Sequence, residues 1–362
     1  MKYKRYTFKD LASFRYGKMP QKDRLMPTGQ YPVFSGYRYV GYYDEYNVDT
    51  DRLVIIARGV GGTGKVKITT EKCYLTNLSI VVDIKDENIA LTKYLYYLFS
   101  LNNLRYLDSG SAQSQITISD LEKLQIHLPE ISVQRSVAKI LSDIDEKISV
   151  NEAINKNLEE QARAIFTHLF DNCSFHVGEL SQIAHIIMGQ SPNGASYNTD
   201  KNGIVFFQGR AEFGFRYPTP RLYTTAPKRM AQTGDVLMSV RAPVGDLNIA
   251  FESCCIGRGI SAIRSIDEHP SFLFYSLLSL KDQFDVFNGE GTVFGSINSN
   301  ALKSMAIRIP PQEITDRFEE IVAPMDSAVR KNTEEIIFLT SLRDTLLPRL
   351  MSGEIDVSDI AL

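Results

Sequence analysis

The chain carries the same domain twice, and any fold built from it must accommodate two copies. Asp120-Leu121-Glu122-Lys123-Leu124-Gln125-Ile126-His127-Leu128-Pro129 aligns with Ala301-Leu302-Lys303-Ser304-Met305-Ala306-Ile307-Arg308-Ile309-Pro310, with Leu121 over Leu302 and Pro129 over Pro310. The offset is 181, half of the 362 residues. It also carries Ile140-Leu141 and Asp145 onto Ile321-Val322 and Asp326, Gly110 onto Gly291, Ile116 onto Ile297, and Asn151 onto Asn332. A repeat this long is a whole domain with a following helix, not a solenoid unit of roughly 20–50 residues. Two similar heads on one chain suit a protein that grips two similar but distinct sites.

Earlier in each copy the offset is smaller. Gly17-Lys18-Met19-Pro20 matches Gly189-Gln190-Ser191-Pro192 at 172, and Tyr31 to Gly36 matches Ile204 to Gly209 at 173. The second copy therefore holds a net insertion of nine residues, expected in loops where two binding heads would differ. Short β-branched and aromatic runs bounded by Gly, Pro and Asn predict strands at Val33-Phe34, Leu53 to Ala57, Leu78 to Val82, Val205 to Phe207, Val236 to Val240 and Ile260 to Ile263. Helices are predicted at Leu91 to Leu101 and Pro270 to Leu280. The heads are mixed α and β.

The segments after Pro129 and Pro310 differ in kind. Gln134 to Phe170 is nearly free of Gly and Pro and carries heptad rows: Val137, Ile144, Asn151, Leu158, Ile165 beside Leu141, Ile148, Asn155, Ala162, Leu169. The second copy gives Phe318, Met325, Asn332, Leu339, Leu346 beside Val322, Val329, Ile336, Arg343, Leu350. Both read as long coiled-coil helices. Pro324 is expected to kink the second or offset its start, and Arg343 interrupts its seam. Asn151 and Asn332 stand at equivalent seam positions, where an Asn costs stability but fixes register; the plainer reading is an exposed seam edge. The expected architecture is α+β: two similar mixed α/β domains separated by two long antiparallel coiled-coil helices, with a pseudo-two-fold internal repeat. Its boundaries are 1–129, 130–171, 172–310 and 311–362. Such symmetry suits two half-sites in opposed orientation on duplex DNA.

Net charge of −3 argues weakly against nucleic acid, but its distribution reverses that. Residues 1–128 hold 18 Lys/Arg against 13 Asp/Glu and residues 172–309 hold 12 against 11, whereas residues 129–171 hold 5 against 8 and residues 310–362 hold 5 against 11. Phosphate contact falls to the heads and protein contact to the acidic helices. No run of 18 apolar residues predicts a membrane span, and no apolar signal core follows the basic start, so a cytoplasmic chain is expected. Cys73, Cys173, Cys254 and Cys255 lack metal spacing and are expected as buried free thiols.

Gly59-Val60-Gly61-Gly62-Thr63-Gly64-Lys65 matches the start of a phosphate-binding loop, but Val66 replaces the Ser or Thr that such a loop needs for Mg²⁺. Lys65 to Thr69 reads as a strand, so the helix N-terminus that would hold phosphate is missing. A Gly-rich turn bringing Arg58, Lys65 and Lys67 to a DNA backbone is the better reading, with Arg241 in its counterpart. Aromatic and basic residues interleave around Tyr37 and Arg38 in head one, and around Gln208, Arg210, Phe215, Arg216 and Tyr217 in head two. Arg and Gln reach base edges with paired hydrogen bonds. The matched polar loops Ser109 to Gln115 and Asn288 to Ser296 add Gln113, Gln115, Thr292 and Ser296 as DNA-contact candidates. The five histidines form no metal spacing, and no catalytic set appears.

Two heads, each followed by Leu-Pro or Ile-Pro and a long helix, together with the tail Leu342-Arg343-Asp344-Thr345-Leu346-Leu347-Pro348-Arg349-Leu350-Met351-Ser352-Gly353-Glu354-Ile355, resemble the specificity (S) subunit of type I restriction–modification systems. Pro129-Glu130-Ile131-Ser132-Val133-Gln134-Arg135 leading to Ile140-Leu141 adds to the likeness. The resemblance implies a non-catalytic reader of double-stranded DNA whose heads each bind one part of a split, asymmetric target. The helices, through Ile144, Asn151, Leu158, Ile165, Met325, Asn332, Leu339 and Leu346, would set the gap and dock methyltransferase (M) subunits, two of them, that modify adenine N6. Restriction (R) subunits would complete the complex. The chain itself would bind no cofactor; S-adenosylmethionine, ATP and Mg²⁺ would belong to the partners. The alternative is a coiled-coil interaction scaffold whose duplicated heads bind protein, with no DNA role.

Overall fold

The computed structural model describes residues 3–59, 62–108, 114–288 and 295–357. The chain divides into two compact units, residues 1–152 with 333–362 and residues 153–332. Each unit holds one head and half of each long helix.

In the first unit the central sheet is antiparallel, in the order Ala12–Tyr16, Ser79–Ile84, Leu53–Ile56, Val66–Ile68. All four residues of Leu53–Ile56 are buried, because the strand is covered on both faces. Leu53 and Ile55 join Ile80 and Val82 in a core that includes Phe8, Tyr94 and Leu95. Val54 and Val81 point the other way, into a smaller cluster with Val48, Cys73 and Leu75. This is the period-two alternation of a strand. A second sheet places Tyr31–Ser35 between its hairpin partner Arg38–Tyr43 and the parallel strand Tyr74–Leu75.

The second unit repeats this plan. Its central sheet runs Ala184–Met188, Ile260–Ser265, Val236–Ser239, Leu247–Ile249. Val236, Met238 and Ile263 face the main core, while Leu237, Ile260 and Ala262 face the smaller one. Ile204–Phe207 again pairs parallel with a later strand, Cys254–Ile256. The difference is its other neighbour, Tyr223–Thr224, which is reached through residues 208–222 in place of the Gly36–Tyr37 turn. The extra length of the second copy falls in this stretch. Helices Thr92–Leu101 and Pro270–Ser279 occupy matching places, as the sequence predicts.

The long helices are Ile131–Asp171 and Gln312–Ser352, 41 residues each, about 61 Å at 1.5 Å per residue. The first starts three residues before the predicted Gln134, whose buried side chain donates to the carbonyls of Ile89 and Pro129 and accepts from Leu91 N–H. The second does not begin at Pro324, as one expectation had it, but runs through that residue. Pro324 is exposed, and its missing N–H leaves the Glu320 carbonyl without its intrahelical donor.

Within each unit the helix halves run antiparallel. In the first, Arg343 Nη1 donates to Asp145 at 2.8 Å and Lys147 lies 3.3 Å from Glu335. In the second, Asn332 donates to Asn155 at 2.9 Å, and Phe166 and Phe170 meet Phe318. Val137, Leu141, Asn151, Asn155, Ala162, Phe318, Val322, Val329 and Leu350 are buried. Ile144, Leu158, Ile165, Met325, Asn332, Leu339 and Leu346 are half-buried beside them. Arg343, which breaks the apolar row, is answered by Asp145. Cys73, Cys254 and Cys255 are buried free thiols, and burial pushes Cys254 up to about 12. Cys173 is only half-buried, contrary to expectation. Among the described residues no helix is long and apolar enough to cross a membrane.

Candidate nucleic-acid interface

The duplicated fold brings the same two chain positions together in each unit. Arg58 and Gln115 form an isolated antiparallel bridge, and Arg241 and Ser296 form its counterpart. Both follow from one local design: the central strand ends, and Gln115 or Ser296 lies beside its end. Ile116 N–H donates to the Ala57 carbonyl at 2.9 Å, and Ile297 N–H donates to the Val240 carbonyl at 3.1 Å. In the first unit Asp108 accepts from Ser114 Oγ and from Gln115 N–H. In the second, Asn288 Oδ1 accepts from Val244 N–H at 2.6 Å. Gly295 passes so close that a Cβ there would stand 1.9 Å from the Phe287 carbonyl oxygen, so no other residue fits.

In the first unit Tyr37 and Arg38 are exposed at the tip of the hairpin. The Tyr37 hydroxyl donates to the Val66 carbonyl at 3.1 Å, and Lys65 Nζ stands 5.5 Å from the Tyr37 ring centroid. Lys67 lies 4.1 Å over Phe34, and burial lowers its pKa. Lys65 precedes the strand Val66–Ile68, so a helix N-terminus does not follow the Gly-rich turn. The adjacent Gly36 packs on the Arg58 carbonyl oxygen, which places the hairpin tip beside the bridge. Arg58 Nε is buried and has no acceptor among the described residues. A buried donor without a partner is costly, and a ligand acceptor would relieve it.

In the second unit Gln208, Arg210 and Arg241 line one cleft of about 590 Å³, with Ser191, Tyr197 and Arg258. All three predicted residues are exposed. Arg210 is paired with Asp246, a contact that a nucleic acid would have to replace. Glu212, the one carboxylate in the lining, lies 3.9 Å from Arg221. With Arg210 and Glu212 each paired, Arg241 and Arg258 leave the cleft cationic. Ser296 stands beside this cleft through its bridge to Arg241.

Arg258 was not singled out from the sequence, although Gly257 and Gly259 flank it. Those glycines are the available signal: a Cβ on Gly257 would come within 2.9 Å of Gln208 Cα, and one on Gly259 within 2.7 Å of the Gln208 carbonyl oxygen. Arg216, grouped with the base-contact candidates, is placed elsewhere. It is 2% exposed and lies among Glu159, Asp326, Phe274 and Tyr275, because the segment turns inward after Glu212 and its cation finds two helix carboxylates there. Gln113 and Thr292 lie outside the described residues. Among the described residues no cluster of His, Cys, Asp or Glu is arranged to hold a metal ion.

A duplicated mixed α/β head, each copy followed by a long helix, defines a two-headed protein whose second head carries a cationic cleft. The family model for the type I restriction modification DNA specificity domain matches residues 1–160 and again 174–337. The MjaX specificity subunit of a type I restriction enzyme in Methanocaldococcus jannaschii is 34% identical over 322 residues, covering 81% of this chain and 76% of that one. A type I specificity subunit of Mycoplasma pneumoniae is 26% identical over 368 residues, covering 95% of this chain and 94% of its own. The crystal structure of a type I restriction–modification S subunit from M. genitalium superposes with a TM-score of 0.69 at 18% identity, covering 96% of each chain, a likeness of fold. The chain belongs to the type I restriction–modification specificity family, whose members are non-catalytic DNA-recognition subunits.

Proposed function

We propose that each unit reads one half of a split, asymmetric duplex target, through Tyr37, Arg38, Arg58, Lys65 and Gln115 in the first and Gln208, Arg210, Arg241 and Ser296 in the second. Gln113 and Thr292, in the same polar loops, belong to this proposal by sequence. The observation that carries it is the repeated pairing of Arg58 with Gln115 and of Arg241 with Ser296. Two exposed or half-exposed arginines at equivalent positions, each beside a polar residue, supply phosphate attraction and paired base contacts. The long helices set the unread gap. Their outer faces dock two adenine-N6 methyltransferase subunits and a restriction translocase–nuclease subunit. S-adenosylmethionine, ATP and Mg²⁺ act in those partners.

The test is a map of N6-methyladenine across the host genome, with and without this gene. Loss of one split motif on deletion supports the reading and reports both half-sites. A methylation pattern unchanged by deletion counts against it.

A further inference from the structure

Residues 208–222 of the second unit touch two different places. Their start carries Gln208, Arg210 and Glu212 into the cationic cleft. Their middle carries Arg216 into the interior, where its guanidinium lies 4.2 Å over the Phe274 ring. Nη1 donates to Asp326 Oδ1 at 3.2 Å, and Nη2 donates to the Tyr275 hydroxyl at 2.8 Å and stands 3.2 Å from Glu159 Oε2. Glu159 belongs to the first long helix and Asp326 to the second. One segment thus joins the cleft to both helices.

The internal repeat explains why there is room for it. Asp145 is the counterpart of Asp326 at the 181-residue offset. In the first unit Asp145 accepts from Arg343 of the second long helix at 2.8 Å and from the Tyr97 hydroxyl at 2.7 Å. The counterpart of Arg343 is Ala162, which is fully buried and carries no charge. The second unit therefore keeps the helix carboxylate but not the helix cation, and the head supplies the cation. In the first unit the matching stretch is only the Gly36–Tyr37 turn.

Between cleft and anchor the segment is tightly braced. Gly214 N–H donates to Asn248 Oδ1 at 3.0 Å, and Asn248 Nδ2 donates back to the Gly214 carbonyl at 3.1 Å. Thr219 N–H donates to the Glu212 carbonyl and Ile249 N–H to the Arg216 carbonyl, both at 2.8 Å. Arg210 pairs with Asp246, two residues before Asn248. Hydrogen bonds at Glu212, Gly214 and Arg216 thus hold the segment along its course from the cleft to the anchor. Contact residues that discriminate bases must be held to within about 0.5 Å by such support.

We propose that Arg216 is a positioning residue for base discrimination by the second unit: anchored on Glu159 and Asp326, it fixes where Gln208 and Arg210 stand in the cleft. This rests on the reading of that cleft as a half-site interface. Lysine would keep the charge but lose the planar fork and the ring stacking.

The test uses chromosomal R216K and R216M/D326N variants in the native host, with all partner subunits intact, and single-molecule mapping of N6-methyladenine. The double variant removes the Arg216–Asp326 charge pair, and Glu159 keeps its bond from Arg163 at 2.7 Å. The expected result is about a tenfold rise in methylation at sites with one wrong base in one half of the motif, the scale of a single base contact, with the other half unchanged. Unchanged maps, equal relaxation of both halves, or loss of methylation everywhere in both variants overturns the proposal. A wild-type host with no motif dependent on this gene overturns the underlying reading of function, a different result from an unaltered motif in the variants.

Discussion

Asn151 donates its side-chain N–H to Glu335 Oε2 at 2.8 Å across the helix pair of the first unit, from a position only 1% exposed. The second unit has a related polar contact, Asn332 donating to Asn155. An apolar residue at Asn151 would pack against any apolar neighbour, whereas the amide is satisfied only where a hydrogen-bond acceptor faces it. These contacts define how far one helix is displaced along the other.

The Asn151 bond, and after it Lys147, hold the Glu335 carboxyl below its ordinary value of 4.5. A carboxylate with a depressed folded-state pKa stabilises the fold above its unfolded value, and that contribution is lost as pH falls through the folded one. In Asn151→Ala the Glu335 titration moves up toward 4.5, so the variant is less stable than the parent above that pH, and the difference closes as pH falls below it. Carbon-13 NMR titration of the Glu335 carboxyl checks this; a midpoint unmoved by the substitution excludes the assigned cause.

Arg58→Ala and Arg241→Ala are each expected to weaken DNA binding by the assembled complex by about 1–3 kcal/mol. Arg241 is exposed, so its variant should retain the parental melting temperature. Affinity is read by fluorescence anisotropy at several salt concentrations, and a smaller salt slope marks a lost phosphate contact. Full affinity in both variants removes these arginines from the interface.

Lengthening the helices should alter the unread gap, provided that both are lengthened. Four residues inserted after Glu152 and four after Asn332 leave the Asn151–Glu335 and Asn155–Asn332 contacts inside their own units. Each helix gains about 6 Å. At about 3.4 Å per base pair, the methylated motif should widen by roughly two base pairs. A motif of unchanged spacing shows that the helices do not measure DNA.

Gly17 and Gly189 are matched glycines whose hypothetical Cβ atoms would stand 2.2 Å from the Leu75 carbonyl oxygen and 2.1 Å from the Gly257 carbonyl oxygen. Backbone cannot yield as a flexible side chain does, so Ala at either site should cost about 1–3 kcal/mol. Urea unfolding measures the cost. G189A should also lower DNA affinity, since Gly257 packs against Gln208 in the cleft.

The repeat made the plan of the fold readable. Strands, head helices and long helices recur at a nearly fixed offset, and two noisy copies of one pattern locate each element better than one. Gln208, Arg210 and Arg241, singled out from the sequence beside Gly-rich turns, do line one cleft. Arg216 was not legible. Its partners lie 57 residues before it and 110 residues after it, and only the Ala162 counterpart of Arg343 hints that a cation must arrive from outside the helix pair. Arg258 escaped because the glycines around it matter only once Gln208 is placed against them.

The exchange of Arg343 for Ala162 also makes the two heads of this chain non-interchangeable. A second-type head grafted onto the first position would bring its own arginine to Asp145, already occupied by Arg343. Two guanidiniums would then compete for one carboxylate in a confined space. A first-type head in the second position would leave Asp326 with no cation to replace Arg216. The two heads of this chain share one plan, yet each is fitted to its own helix residues, so neither can take the other's place unless Arg343 or Ala162 changes with it.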